Sequence, residues 1–194
     1  FDWEQTTSFY QLQPLPVSRG AQVIGDDKLT VDGIIDSDEW IEAFTYYWNA
    51  FNEWQFAPIG DVSDLELFGN GELAMYVGGP WNIGSLARGE WDVNWDVFRH
   101  PYFEGGEIAV PTGSWHMGIN PATDEVEGSI TFLKWLLSLE GRQMWFTFNT
   151  NLHADVRMNE WIVSQPEFLE EPWSLWNVAA EAATDHPVPR PSTP

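Results

Sequence analysis

The sequence predicts an α/β domain, and three observations carry that reading: brief apolar runs bounded by glycines, stretches of helical apolar period lying between them, and no cysteine framework or membrane-length apolar run. At 194 residues and 43% hydrophobic content the chain is long enough to bury a core, as one domain or two small ones.

Taken in order, Trp3 to Gly25 is Gln-rich and interrupted by Pro14, Pro16 and Gly20, which predicts a loop holding a short strand or helix. Residues 25–35, GDDKLTVDGII, alternate weakly between turn residues and predict a short hairpin or a strand beside a turn. Asp36 and Glu39 form a helix-start signal. Trp40, Ile41, Phe44, Tyr47, Trp48 and Phe51 then recur at three- and four-residue spacing, predicting an amphipathic helix to about Trp54. Ser63 and Glu66 repeat the signal before a short helix that stops at Gly69-Asn70-Gly71.

Leu73 to Val77 predicts a buried strand, residues 82–88 one or two helical turns, and Trp95 to Phe98 a further strand, with residues 101–111 as a connector. The run SWHMGI at 114–119 is strand-like. Helices follow at about 124–138, 141–148 and 155–163, and the proline-rich end, HPVPRPSTP, reads as an exposed trailing segment. No internal repeat is found.

Eight basic residues face 30 acidic ones, a net charge of −22, so repulsion makes nucleic acid and anionic membrane surfaces poor partners and a neutral or cationic ligand a better one. The lack of cysteine excludes disulfides, thiolate nucleophiles and zinc-thiolate sites, which suits an extracytoplasmic chain. The opening FDWEQTTSFY carries no Met and no charged-then-apolar signal, and reads as cut or processed.

Carboxylate pairs such as Asp92 with Asp96, or Glu104 with Glu107, have the chemistry a glycosidase needs, but among 30 acids solvated surface charge is the better reading. Lys28 to Glu39 resembles a calcium loop only in Gly33 and Glu39. Lys28 and Thr30 stand at the first ligand positions, so a turn leading into a helix is expected instead. The four histidines show no metal-binding spacing, and no nucleophile elbow, phosphate loop or dinucleotide fingerprint occurs.

What remains is 13 Trp and two glycine-flanked segments that carry one each: GGPWNIG at 78–84 and TGSWHMGIN at 112–120. Flat indole faces suit the apolar C–H faces of sugar rings, and glycine lets the backbone approach a ligand. The same residues can equally plug the ends of a sheet.

Three ordered blocks, DLELFGNGELAMYVGGPWNIGSL at 64–86, PYFEGGEIAVPTGSWHMGIN at 101–120 and EGSITFLKWLLSLEGRQMWF at 127–146, resemble the extracellular solute-binding proteins of ABC sugar importers, the group that includes maltose-binding protein. The resemblance implies a class II periplasmic-binding-protein-like α/β fold of which this chain is roughly the second half: residues 1–107 in the carboxy-terminal lobe, 108–157 crossing into the other lobe, and 158–194 returning. It further implies capture of a sugar or oligosaccharide between two lobes, delivery to membrane permease subunits, an extracytoplasmic location, no cofactor and no enzymatic activity. Membrane contact would come only through the permease or a lipid anchor preceding residue 1.

Carried over residue by residue, Trp81 matches the family's sugar-stacking Trp, while Trp115 would stack and His116 would hydrogen-bond hydroxyls. Phe9, Tyr10 and Gln13, then Trp3, fall where the family offers an aromatic from the carboxy-terminal lobe. A carbohydrate-active enzyme or carbohydrate-binding module, and an acidic interaction protein without a small ligand, stand as alternatives.

Overall fold

Helices carry most of the regular structure in the computed structural model, which describes residues 2–3, 8–58, 63–89, 91–113, 116–151 and 153–189, the side chains of residues 2, 3, 8, 9 and 189 excepted. The chain forms two compact units, one of residues 1–78, 90–113 and 178–194, the other of residues 79–89 and 114–177.

In the first unit, β1 (Asp2–Trp3) pairs in parallel with β2 (Tyr76–Val77), bringing Trp3 opposite Val77. Two short helices, α1 (Ser8–Leu12) and α2 (Pro14–Ser18), stand where a loop with one short strand or helix is expected, and Pro14 at the first turn of α2 needs no backbone donor there. The expected hairpin at 25–35 does not form. Asp27 instead accepts the Leu29 and Thr30 backbone amides, each at 2.9 Å, and closes a turn.

Helix α3 (Asp38–Asn52) lies where the period placed it, with Ser37 rather than Asp36 at its N-cap. Its buried face differs from the expected stripe. Trp40, Ala43 and Ala50 are fully buried, while Ile41, Phe44 and Trp48 are exposed. Small side chains explain this: Ala43 lets the helix approach Leu12, Leu15 and Val77 closely, and Tyr46, Tyr47 and Phe103 pack around that cluster. Helix α4 (Asp64–Gly69) is capped as its sequence indicates, the Ser63 hydroxyl accepting from Glu66 N at 3.4 Å.

Residues 95–98 are irregular and form no strand among the described residues. The strand β3 appears instead at Val110–Thr112, overlapping the end of the expected connector. Its partner is β4 (Pro187–Pro189), parallel to it, so the start of the supposed trailing segment is paired structure. Pro187 and Pro189 donate no hydrogen bond, and the ladder begins with Val110 N donating to His186 O at 2.8 Å.

The second unit holds α5 (Pro80–Ala87), α6 (Val126–Leu136), α7 (Leu139–Asn149) and α8 (Val156–Ser164), followed by two 3-10 turns at Pro166–Leu169 and Trp173–Leu175. Its centre is aromatic. Phe146 meets Phe168 at 5.5 Å and Trp176 at 5.9 Å between ring centroids, with Met158 and Ile162 fully buried. Trp176 opens the last helix, α9 (Trp176–Asp185). The expected strand at 114–119 is absent from its described residues 116–119, which are irregular. Leu136 is buried at the end of α6, while Ile130 and Trp135 in it and Leu137 after it are exposed.

Candidate functional site

The candidate residues divide between the two units. Tyr10, on α1 in the first, is half-buried and its hydroxyl donates to Pro111 O at 2.8 Å, tying α1 to β3. Gln13 precedes α2, is 4% exposed, and its Nε2 has no hydrogen-bond partner among the described residues. Phe9 lies in α1 and Trp3 in β1, but their side chains fall outside the described residues.

Beside them, a histidine that no sequence motif marks holds this region together. His100 places one ring nitrogen 2.7 Å from Gln11 O and the other 2.8 Å from Pro101 O. Burial holds its pKa below the ordinary value, against the pull of those two carbonyls.

In the second unit, Trp81 is the second residue of α5 and half-buried. Its ring folds back over Gly79: a Cβ built there would stand 2.2 Å from two atoms of the indole six-membered ring. That close approach is the reason for a glycine two residues before the Trp. Pro80 fixes the first helical dihedral between them. Arg88 closes the other end of α5, its guanidinium donating to Phe148 O at 3.2 Å and lying 5.8 Å from the Trp173 ring centre.

His116 is exposed, and Trp115 lies outside the described residues. Trp81 and His116 make no hydrogen bond or ring contact with each other among the described residues. No group of three or more His, Asp or Glu among the described residues could hold a metal ion, and no described helix is long and apolar enough to cross a membrane.

The sequence of residues 2–143 matches the family model for bacterial extracellular solute-binding proteins. The chain belongs to this family. By sequence, no curated protein matches it. Among solved structures, this chain is similar to maltose-bound MalE3 of T. maritima, at 20% identity and a TM-score of 0.69, over 94% of this chain and 47% of that one. It is similar to an ABC substrate-binding protein from Listeria monocytogenes in complex with cycloalternan, at 18% identity and a TM-score of 0.69, over 99% of this chain and 48% of that one.

The fold is therefore that of the class II periplasmic-binding-protein-like α/β proteins, and the chain spans about half the length of the solved structures it matches. Both matched structures and the family are binding proteins rather than enzymes, and the family is extracellular by description. Thr150 places its hydroxyl 3.2 Å from Pro80 O and accepts from Trp176 Nε1 at 2.9 Å, and nothing in the sequence neighbourhood of either residue marks it.

Proposed function

We propose that the protein containing this chain binds a sugar or oligosaccharide outside the cytoplasmic membrane and hands it to the permease of an ABC importer, closing two lobes around the ligand. Capture rather than turnover is the chemistry these residues suit. An indole face covers the apolar side of a pyranose ring, and amide, hydroxyl and imidazole groups meet its hydroxyls. The observation that best supports this reading is Trp81, half-buried at the start of α5 with its ring seated over Gly79.

In this proposal Trp81 and Trp115 stack on the sugar and His116 hydrogen-bonds it, with Tyr10, Phe9, Gln13 and Trp3 contributed from residues 3–13. The lobe boundaries expected at residues 107/108 and 157/158 belong to the same reading. Sugars enter as candidates because the matched structures hold maltose and cycloalternan.

Calorimetric titration with maltose and cycloalternan tests it. Saturable binding of either is expected, weakened about tenfold or more in Trp81→Ala, which corresponds to about 1.4 kcal/mol. Binding that survives Trp81→Ala unchanged would remove Trp81 from the site. Hydrolysis of an oligosaccharide, lost on a single carboxylate substitution, would replace the importer reading with the enzyme one.

A further inference from the structure

Thr150 holds a backbone conformation that its side chain disfavours. It follows α7 with φ +51° and ψ 17°, the left-handed region that glycine and asparagine enter easily and β-branched residues do not. It is 2% exposed. An outlier of this kind persists only where its surroundings over-determine it, and it points towards a functional constraint.

The surroundings here lead to Trp81. The Thr150 hydroxyl oxygen lies 2.8 Å from Asn149 O, 3.2 Å from Pro80 O and 3.5 Å from Trp81 O. Its single proton serves one acceptor at a time, with the oxygen seated among all three. The side chain also fills the space against Gly84, where a Cβ would stand 2.5 Å from Oγ1 and 2.6 Å from Cγ2. Behind it, the fully buried Trp176 donates from Nε1 to Thr150 O at 2.9 Å. Glycine or asparagine would cap α7 without strain, but neither supplies a hydroxyl against the first two carbonyls of α5.

We propose that Thr150 is a positioning residue for the Trp81 platform, acting through the Pro80–Trp81 backbone and touching no ligand itself. The functional part rests on the reading of Trp81 as a sugar-stacking residue. The structural part does not.

Fluorine NMR of the chain labelled with fluorotryptophan tests both parts, the Trp81 resonance being assigned by its loss in Trp81→Phe. Thr150→Val keeps the shape and removes the hydroxyl, whereas Thr150→Ser keeps the hydroxyl. The expected result is a displaced Trp81 resonance in Thr150→Val and a near-native one in Thr150→Ser. With whichever of maltose or cycloalternan the unsubstituted protein binds, affinity should fall about tenfold in Thr150→Val and stay within about twofold in Thr150→Ser.

An unmoved resonance in Thr150→Val overturns the proposal, as does equal displacement in both variants, which would make Thr150 a packing residue only. A displaced resonance with unchanged sugar affinity overturns its functional part. If Thr150→Val does not fold, Thr150→Ala set beside Thr150→Ser, a pair that differs in the hydroxyl alone, carries the same resonance test. Absence of sugar binding by the unsubstituted protein counts against the sugar reading alone, and the resonances still decide the role of Thr150.

Discussion

Asp155 concentrates more polar contacts than its neighbours and shows how one side chain can serve two purposes. One carboxylate oxygen accepts the Arg157 backbone amide at 3.1 Å, capping α8, and Arg157 Nε at 3.0 Å. The other accepts Arg157 Nη2 at 2.6 Å and also Arg142 Nη1. The hydrogen bonds from Arg157 are the main reason its pKa falls from 3.8 to about 2, with the charges of Arg157 and Arg142 adding to them and partial burial opposing. Because the folded-state value is the depressed one, this stabilisation is present above about pH 4 and is lost as pH falls towards 2. Asp155→Asn keeps a good cap and removes the charge. Urea midpoints should therefore show the unsubstituted protein ahead of Asp155→Asn at neutral pH, with the gap closing between about pH 4 and 2. A gap independent of pH would show that the carboxylate's charge contributes nothing.

Capping makes the elements themselves testable. Ser138 stands at the N-cap of α7, its hydroxyl accepting from Gly141 N at 3.2 Å. Ser138→Ala should cost about 1 kcal/mol in chemical denaturation, and a change near zero would show that the α7 terminus is held by packing alone. The caps and periods that were legible in the sequence are local ones: Ser63 with Glu66, the α3 period and the three later helices all depend on residues within one or two turns. Which face each helix buries was not legible, because the Ala43 and Ala50 contacts of α3 depend on distant partners such as Leu12 and Val77. Of the strands, β2 lies within the expected run Leu73–Val77, whereas β3 and β4 were lost for the same reason. Pro187-Val188-Pro189 has no strand signature of its own and becomes β4 only because Val110–Thr112 lies alongside. In the candidate site, the Gly-Pro-Trp segment announced Trp81, whereas the left-handed Thr150 had no sequence signal, since threonine is among the residues least suited to that conformation.

For the molecule as a whole, net charge is the property that no single contact reveals. Eight basic residues cannot pair one to one with 30 acidic ones, so net repulsion among the carboxylates remains. Repulsion across about 30 Å at 0.01 M salt shrinks to about 3 Å at 1 M. The melting temperature should accordingly rise as sodium chloride is raised through that range, and a flat or falling curve would mean that the charges are already balanced by local geometry. The pairing of β3 with β4 has a consequence of another kind, one of timing. All of residues 114–177 lie between the two strands in sequence, so during synthesis Thr112 leaves the ribosome several seconds before Pro187 at about 5–20 residues per second. β3 lacks β4 through that interval, and the nascent chain must keep the β3 edge from finding another partner until β4 arrives.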